Sequence, residues 1–297
     1  MKKLLALTLA ALMVFGMVAC ASNTDSTPAD TSAPADSQTT EQADASTEAD
    51  ASTEQADAPA ETLIFGTSAD YAPFEFMYPD DNGDMVYGGI DVSVAQYIAD
   101  YTGKTLQTEN MAFDYLLASL QKGDFDIVIA AMEATDERKE AADFSDPYYT
   151  DVPPKIVTLK GNAANYTSLD DFSGKTVGAQ TGTTKADIVA DQMPGANPLL
   201  LQSVNELVNG LVNSKCDAIV LDGAVADKYV ASNDALAAVD ISLGEAAEPY
   251  RVAVKEGDPD KLLDAINAAI KKAVENGDIT TWMEEADALS SEAIGLE

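Results

Sequence analysis

Two stretches of this sequence bring together residue types that could hold a small charged molecule. Gln180-Thr-Gly-Thr-Thr184 leaves an apolar stretch and enters a helical pattern, which aims the backbone amides near Thr183 and Thr184 at a point where an anion could sit. Asp222 ends the apolar run Ala218-Ile-Val-Leu, and an acid at the C-terminal end of a strand lies where α/β sheets place ligand contacts. Both patterns have a plainer reading. A glycine with two threonines also punctuates ordinary strand-to-helix turns, and Asp222 also suits the cap of the helix that follows. Guanidinium groups, which match a carboxylate through two parallel donors and keep their charge, are scarce: Arg138 and Arg251 are the two arginines of the chain.

The rest of the composition excludes several chemistries. The 297 residues carry 51 acids, 17 bases, no histidine and two cysteines, for a net charge of −34. Without histidine the chain cannot run serine-histidine or cysteine-histidine catalysis, nor build imidazole-bearing zinc sites. Phosphate would be repelled, so nucleic acid is not expected as a partner. No metal site and no cofactor is expected. An apolar fraction of 46% is enough for a globular core.

The first 20 residues read as a secretory leader: Lys2 and Lys3, then a fifteen-residue apolar run from Leu4 to Val18, then Ala19-Cys20. That run is short of the roughly 20 residues that span a bilayer. Met17-Val18-Ala19-Cys20 resembles a lipobox, in which the cysteine becomes the lipidated first residue of the mature protein. Lipoboxes usually have Leu, Val or Ile where this chain has Met17. An ordinary cleaved leader that ends near a cysteine is the alternative. With lipid on Cys20, only Cys216 remains as a thiol, and no intrachain disulfide can form. Residues 21–60 contain nine acids, no Lys or Arg, no aromatic residue and no aliphatic larger than Ala. Such a segment cannot bury enough apolar surface to order itself, so a disordered acidic tether is expected. As a flexible coil it would span about 35 Å.

Residues 61–297 hold 42 acids and 15 bases, so the folded part is acidic too, which favours solubility. Their 237 residues suggest two lobes. Strands are expected at residues 63–67, 106–109 and 125–130, the last a nearly all-apolar run suited to a strand covered on both faces. Helices are expected at 91–101 and 113–122. After Pro153-Pro154 a second set begins, with strands at 155–159, 176–180, 199–202, 218–221 and 237–241 and helices at 184–192, 204–213 and 224–230. A strand at 250–255 precedes a helix opened by Asp258-Pro259 and closed by Gly277. This alternation predicts an α/β architecture. Cys216 is expected to be buried and inert, and Trp282 to pack in the last helix.

Five motifs then occur in order: Gly66-Thr-Ser-Ala-Asp-Tyr-Ala-Pro-Phe74, Gly88-Gly-Ile-Asp-Val92, Leu120-Gln-Lys-Gly-Asp-Phe-Asp126, Ala134-Thr-Asp-Glu-Arg138 and Asp143-Phe-Ser-Asp-Pro-Tyr-Tyr149. Together, over residues 63–286, they resemble the extracellular solute-binding proteins that serve polar amino acid ABC importers. The resemblance implies a two-lobe, periplasmic-binding-protein-like clamshell with two crossover strands. Lobe one would comprise residues 62–150 and 244–297, and lobe two residues 151–243, with crossings near Thr150-Asp151 and residues 242–248. It also implies a monomer, tethered at the cell membrane outside the cytoplasm through lipid on Cys20, that captures a free amino acid and delivers it to a membrane permease.

Site residues follow from the same resemblance. Arg138 matches the family arginine that holds the ligand carboxylate, with Thr184 and the amides near Thr183 adding donors. Asp222 matches the carboxylate for the ligand ammonium, and the Ala131 carbonyl is a further acceptor. Tyr71 and Phe113 match aromatic positions that sandwich the ligand side chain, whereas Phe74 reads as structural. Ser68 stands where relatives specific for basic ligands or glutamine often carry Asp, and Asp70, Glu75 and Gln180 could supply polarity nearby. Glu133 departs from the pattern, because many members have Ser or Thr there. A second buried carboxylate beside Asp222 is costly unless a cation lies between them or one of the two is protonated. Three arrangements are open: both acids share the ligand ammonium, the ligand carries extra positive charge, or Glu133 turns outward to cap the helix at Thr135. Arg251, near the second crossing, is expected to pair with an acid. Two other function classes share the fold: a cyclohexadienyl dehydratase-like enzyme with Glu133 as proton donor, and the ligand-binding ectodomain of a sensor.

Overall fold

The computed structural model describes residues 60–244 and 248–294. The leader, Cys20 and the tether up to residue 59 lie outside the described residues, as do residues 245–247 of the second expected crossing.

Apolar content decides where each strand sits. One five-stranded sheet has the order Thr105–Asn110, Thr62–Thr67, Ile127–Val128, Pro249–Lys255, Ala142–Thr150, in which the first three strands are parallel. Ile127, Val128 and Ile129 have no exposed surface and occupy the middle, as a run without polar side chains must. Thr105–Asn110 is mostly polar and takes the edge, where its side chains reach water. A second five-stranded sheet has the order Asn197–Leu201, Thr176–Gln180, Ala218–Leu221, Lys155–Leu159, Leu236–Ala238. There the fully apolar Ala218–Leu221 is central and almost completely buried. The architecture is the mixed α/β fold expected. The chain leaves the first sheet after Thr150 to enter the second at Lys155, and is back in the first sheet at Pro249 after the second sheet's last strand ends at Ala238.

Helices follow the parallel strands and cover both faces of each sheet. Ile90–Thr102 buries Ile90, Val94, Ala95, Ile98 and Ala99, the spacing of a single apolar stripe. Thr184–Gln192 and Val204–Val212 flank the second sheet, the former capped by the Thr183 side chain and the latter by Ser203. Cys216 is buried, as expected, and burial pushes its thiol up to about 11, which disfavours the reactive thiolate. Trp282 packs against Tyr97, with ring centroids 5.4 Å apart.

Several expectations are corrected. Residues 113–122 are a 3-10 turn, Phe113–Tyr115, followed by the helix Leu116–Lys122. The strand at 125–130 contracts to Ile127–Val128, and Ala131 beyond it takes a left-handed φ of 43° as the chain turns. Asp258 does not begin a helix. It lies at φ 39° and reaches over an intervening turn to accept the Leu262 and Leu263 amides, so the helix is Leu263–Asn276, with Gly277 left-handed at its end. Arg251 donates to the Ser145 carbonyl at 2.7 Å, and no acid pairs with it among the described residues. A small antiparallel sheet of Asp70–Tyr71, Glu75–Pro79 and Met85–Gly88 had no counterpart in the sequence reading.

Ile219 lies fully buried at the centre of the second sheet. Ile219→Ala should lower stability by about 2–5 kcal/mol, from lost burial and the residual cavity, which urea unfolding would measure.

Candidate functional site

The C-terminal ends of the parallel strands of both sheets meet, the place where open α/β sheets bind ligands. From the first sheet, Thr62–Thr67 leads to Ser68 and Tyr71, Thr105–Asn110 to Phe113, and Ile127–Val128 to Ala131 and Glu133. From the second, Thr176–Gln180 leads to Thr183, Thr184 and Lys185, and Ala218–Leu221 to Asp222. Arg138 arrives on the four-residue helix Asp136–Lys139, whose cap, the Thr135 hydroxyl, accepts from the Arg138 amide.

Four buried charges form the centre. Arg138, Glu133, Lys185 and Asp222 are each 9% exposed or less. The Lys185 Nζ donates to Glu133 Oε1 at 2.8 Å and to Asp222 at 2.7 Å. Arg138 Nη1 donates to Glu133 Oε2 at 3.0 Å and to the Glu133 carbonyl at 2.9 Å. Its Nη2 reaches across to the Gly182 carbonyl at 3.2 Å, and its guanidinium lies 5.1 Å from the centroid of the Phe113 ring. The Thr184 hydroxyl donates to Glu133 Oε1 at 2.9 Å. The Tyr71 hydroxyl donates to Asp222 Oδ2 at 2.5 Å. Signs alternate along the chain of contacts, and the four charges sum to zero.

Ion pairing competes with burial at each group. Burial raises Glu133, but the charges of Lys185 and Arg138 outweigh it and pull its carboxyl down to about 2. Burial depresses Lys185, yet Asp222 and Glu133 more than restore it, so the ammonium keeps its charge. Asp222 stays above the usual carboxylate range, because burial and the Glu133 charge outweigh Lys185. Gly182 allows the two halves to close this tightly. Its φ is +76°, and a Cβ there would lie 3.1 Å from the Asp114 Cβ.

The structure brings Ser68, Tyr71, Phe113, Ala131, Glu133, Thr183 and Asp222 around one cavity of about 10 Å³, together with Glu75, Gln180 and Lys185. Arg138 and Thr184 stand at its edge through Glu133. The Thr183 hydroxyl is turned into its own turn, donating to the Gln180 carbonyl at 2.7 Å. Asp222 starts the next helix but makes no side-chain cap. Glu133 is buried and Thr135 caps its own helix, which removes the outward-facing arrangement. Asp70 accepts the Val204 amide at 2.9 Å, and Gln180 donates to the Gln202 carbonyl at 3.0 Å. Lys185 was missed. Its signal was a base in the first turn of a helix, where the dipole favours acids.

Three comparisons relate the chain to known proteins. Residues 63–285 match the model of the bacterial extracellular solute-binding proteins, family 3. The chain belongs to this family. This solute-binding protein is 31% identical over 281 residues to the arginine-binding extracellular protein ArtP of Bacillus subtilis (strain 168), covering 94% of this chain and 95% of that one. Among solved structures it resembles an amino acid ABC transporter substrate-binding protein from Streptococcus pneumoniae bound to L-arginine, with 35% identity, a TM-score of 0.73, and 77% and 94% of the two chains covered. It also resembles the ancestral amino acid-binding protein AncCDT-1, a precursor of cyclohexadienyl dehydratase, with 33% identity, a TM-score of 0.67, and 75% and 94% covered. Family and neighbours alike are substrate-binding proteins.

Because the Glu133 pKa falls from 4.5 to about 2 on folding, its contribution to stability is complete above about pH 4.5 and is lost as pH drops toward 2. Urea midpoints from pH 5 to 2 should therefore fall more steeply for the wild type than for Glu133→Gln. Parallel profiles would contradict this assignment.

Proposed function

We propose that this chain is an extracytoplasmic binding lipoprotein that captures a free amino acid by lobe closure and delivers it to the permease of an ABC importer. Residues 62–150 and 244–297 form lobe one in this reading, and residues 151–243 form lobe two. The observation that carries it is the convergence, across the two sheets, of a guanidinium with a hydroxyl on one side and a carboxylate with a phenol on the other. A zwitterion bridging Arg138 with Thr184 and Asp222 with Tyr71 gains contacts only when the lobes meet, so binding and closure are coupled. Ser68, Phe113 and the Ala131 carbonyl line the remainder, and the Thr183 turn holds the helix end in place.

A cationic amino acid, arginine first, is the ligand class proposed. Several relatives bear arginine in their names, beside others named for histidine, cystine or glutamine, and Glu75 supplies the acid that Ser68 does not. It lines the cavity at 1% exposure, and its Oε2 has no hydrogen-bond partner among the described residues. Burial and the Asp91 charge hold its carboxyl well above the ordinary range, and an arriving guanidinium would displace that proton. Lipid on Cys20 would hold the monomer at the outer face of the cell membrane. No helix among the described residues is long and apolar enough to cross a membrane.

The dehydratase reading needs Glu133 as a proton donor. Lys185, Arg138 and Thr184 all donate to that carboxylate, which favours the binding role.

Thermal unfolding of the protein, stripped of carried-over ligand by unfolding and refolding, should show arginine raising stability by about 2.7 kcal/mol at 100 times its Kd. Arg138→Ala should abolish the shift. No shift with any amino acid, or consumption of prephenate, would contradict the reading. Labelled palmitate should enter the wild-type protein in bacterial cells and be absent from Cys20→Ser, which should leave the membrane fraction.

A further inference from the structure

In the reading above, Arg138 and Thr184 await a carboxylate and Asp222 awaits an ammonium. The chain itself supplies both. The carboxylate on Arg138 Nη1 and the Thr184 hydroxyl is that of Glu133, at 3.0 and 2.9 Å. The ammonium on Asp222 is that of Lys185, at 2.7 Å. The two are bonded to each other at 2.8 Å, as the ends of an amino-acid headgroup lie close together. The cavity left among these groups, about 10 Å³, is the size of about one water molecule.

We infer that Glu133 and Lys185 form a built-in surrogate of the amino-acid headgroup, which a ligand must displace to bind. This rests on the proposed amino-acid function and deepens it. Glu133 comes from the turn after Ile127–Val128 and Lys185 from the helix Thr184–Gln192, so the pair also ties the two sheets together. Lys185 is the movable half. Its side chain lines a second cavity of about 380 Å³, together with Asp187, Asp191 and Glu248, and these acids can receive the expelled ammonium.

Specificity follows from the exchange. An incoming headgroup replaces one carboxylate and one ammonium by another of each, so the headgroup alone gains little. Net affinity then comes from the ligand side chain, which meets Tyr71, Phe113, Ser68 and Glu75. The pair rejects small amino acids and admits those with long side chains.

Calorimetric titration of the full chain with arginine and with glycine tests this, comparing the wild type with the double variant Glu133→Ser, Lys185→Ala. Arginine should bind the double variant tighter by about tenfold or more, and glycine, undetectable with the wild type, should bind the double variant measurably. Equal or weaker arginine binding by the double variant would overturn the surrogate and make the pair ligand contacts. No amino acid binding to either protein would instead sink the amino-acid function. If the double variant does not fold, Lys185→Gln alone should still tighten arginine binding, and unchanged or weakened binding would overturn the inference. Spin labels placed one on each sheet supply a second readout. In amino-acid-free buffer the wild type should give a short distance and Lys185→Gln a longer one, and equal distances would contradict the tie.

Discussion

The Lys185 ammonium lies between the Glu133 and Asp222 carboxylates, with Arg138 behind Glu133, and water reaches none of the four freely. Taking an ion out of water costs several kcal/mol, and only close opposite charges with further hydrogen bonds offset it. Each member of the quartet therefore depends on the others. Removing one partner strands a buried charge, at a cost of about 3–5 kcal/mol. The hydroxyls of Tyr71 and Thr184 complete the set, and the two halves of the molecule are held in register around it.

The topology exists to deliver these groups to one point. Parallel strands end on the same side of each sheet, and the turns that follow carry short polar residues that need no core of their own. Because the two sheets face each other at those ends, residues as distant in sequence as Tyr71 and Asp222 are hydrogen-bonded. The glycine at 182 and the left-handed backbone at Ala131 are the local distortions this close approach requires. The mixed α/β sheets supply the rigid frame that holds these charges at their meeting edges.

Much of this was legible in the sequence because burial on two faces leaves a strong mark. The strands Lys155–Leu159, Thr176–Gln180 and Ala218–Leu221 and the helix Thr184–Gln192 fall at the residues their apolar runs and caps indicate. The helix after Asp258 was placed early, since capping by a carboxylate across a loop looks the same as an adjacent cap in one dimension. The small sheet around Glu75–Pro79 escaped because its strands are short and carry a motif that reads as a loop. Among the site residues, the anomaly at Glu133 is visible in the sequence: a second carboxylate beside Asp222 needs a cation between the two or a proton on one of them. That the cation comes from the chain, at Lys185, depends on which face of a helix turns inward, and spacing alone does not reveal it.

The most direct test of the charged quartet as the headgroup site is a crystal structure of the protein grown with arginine. The arginine carboxylate should lie on Arg138 and Thr184, its ammonium on Asp222, and the Glu133–Lys185 contact should be broken, with Lys185 turned toward Asp187 and Asp191. An intact quartet with arginine bound elsewhere on the molecule would contradict the account.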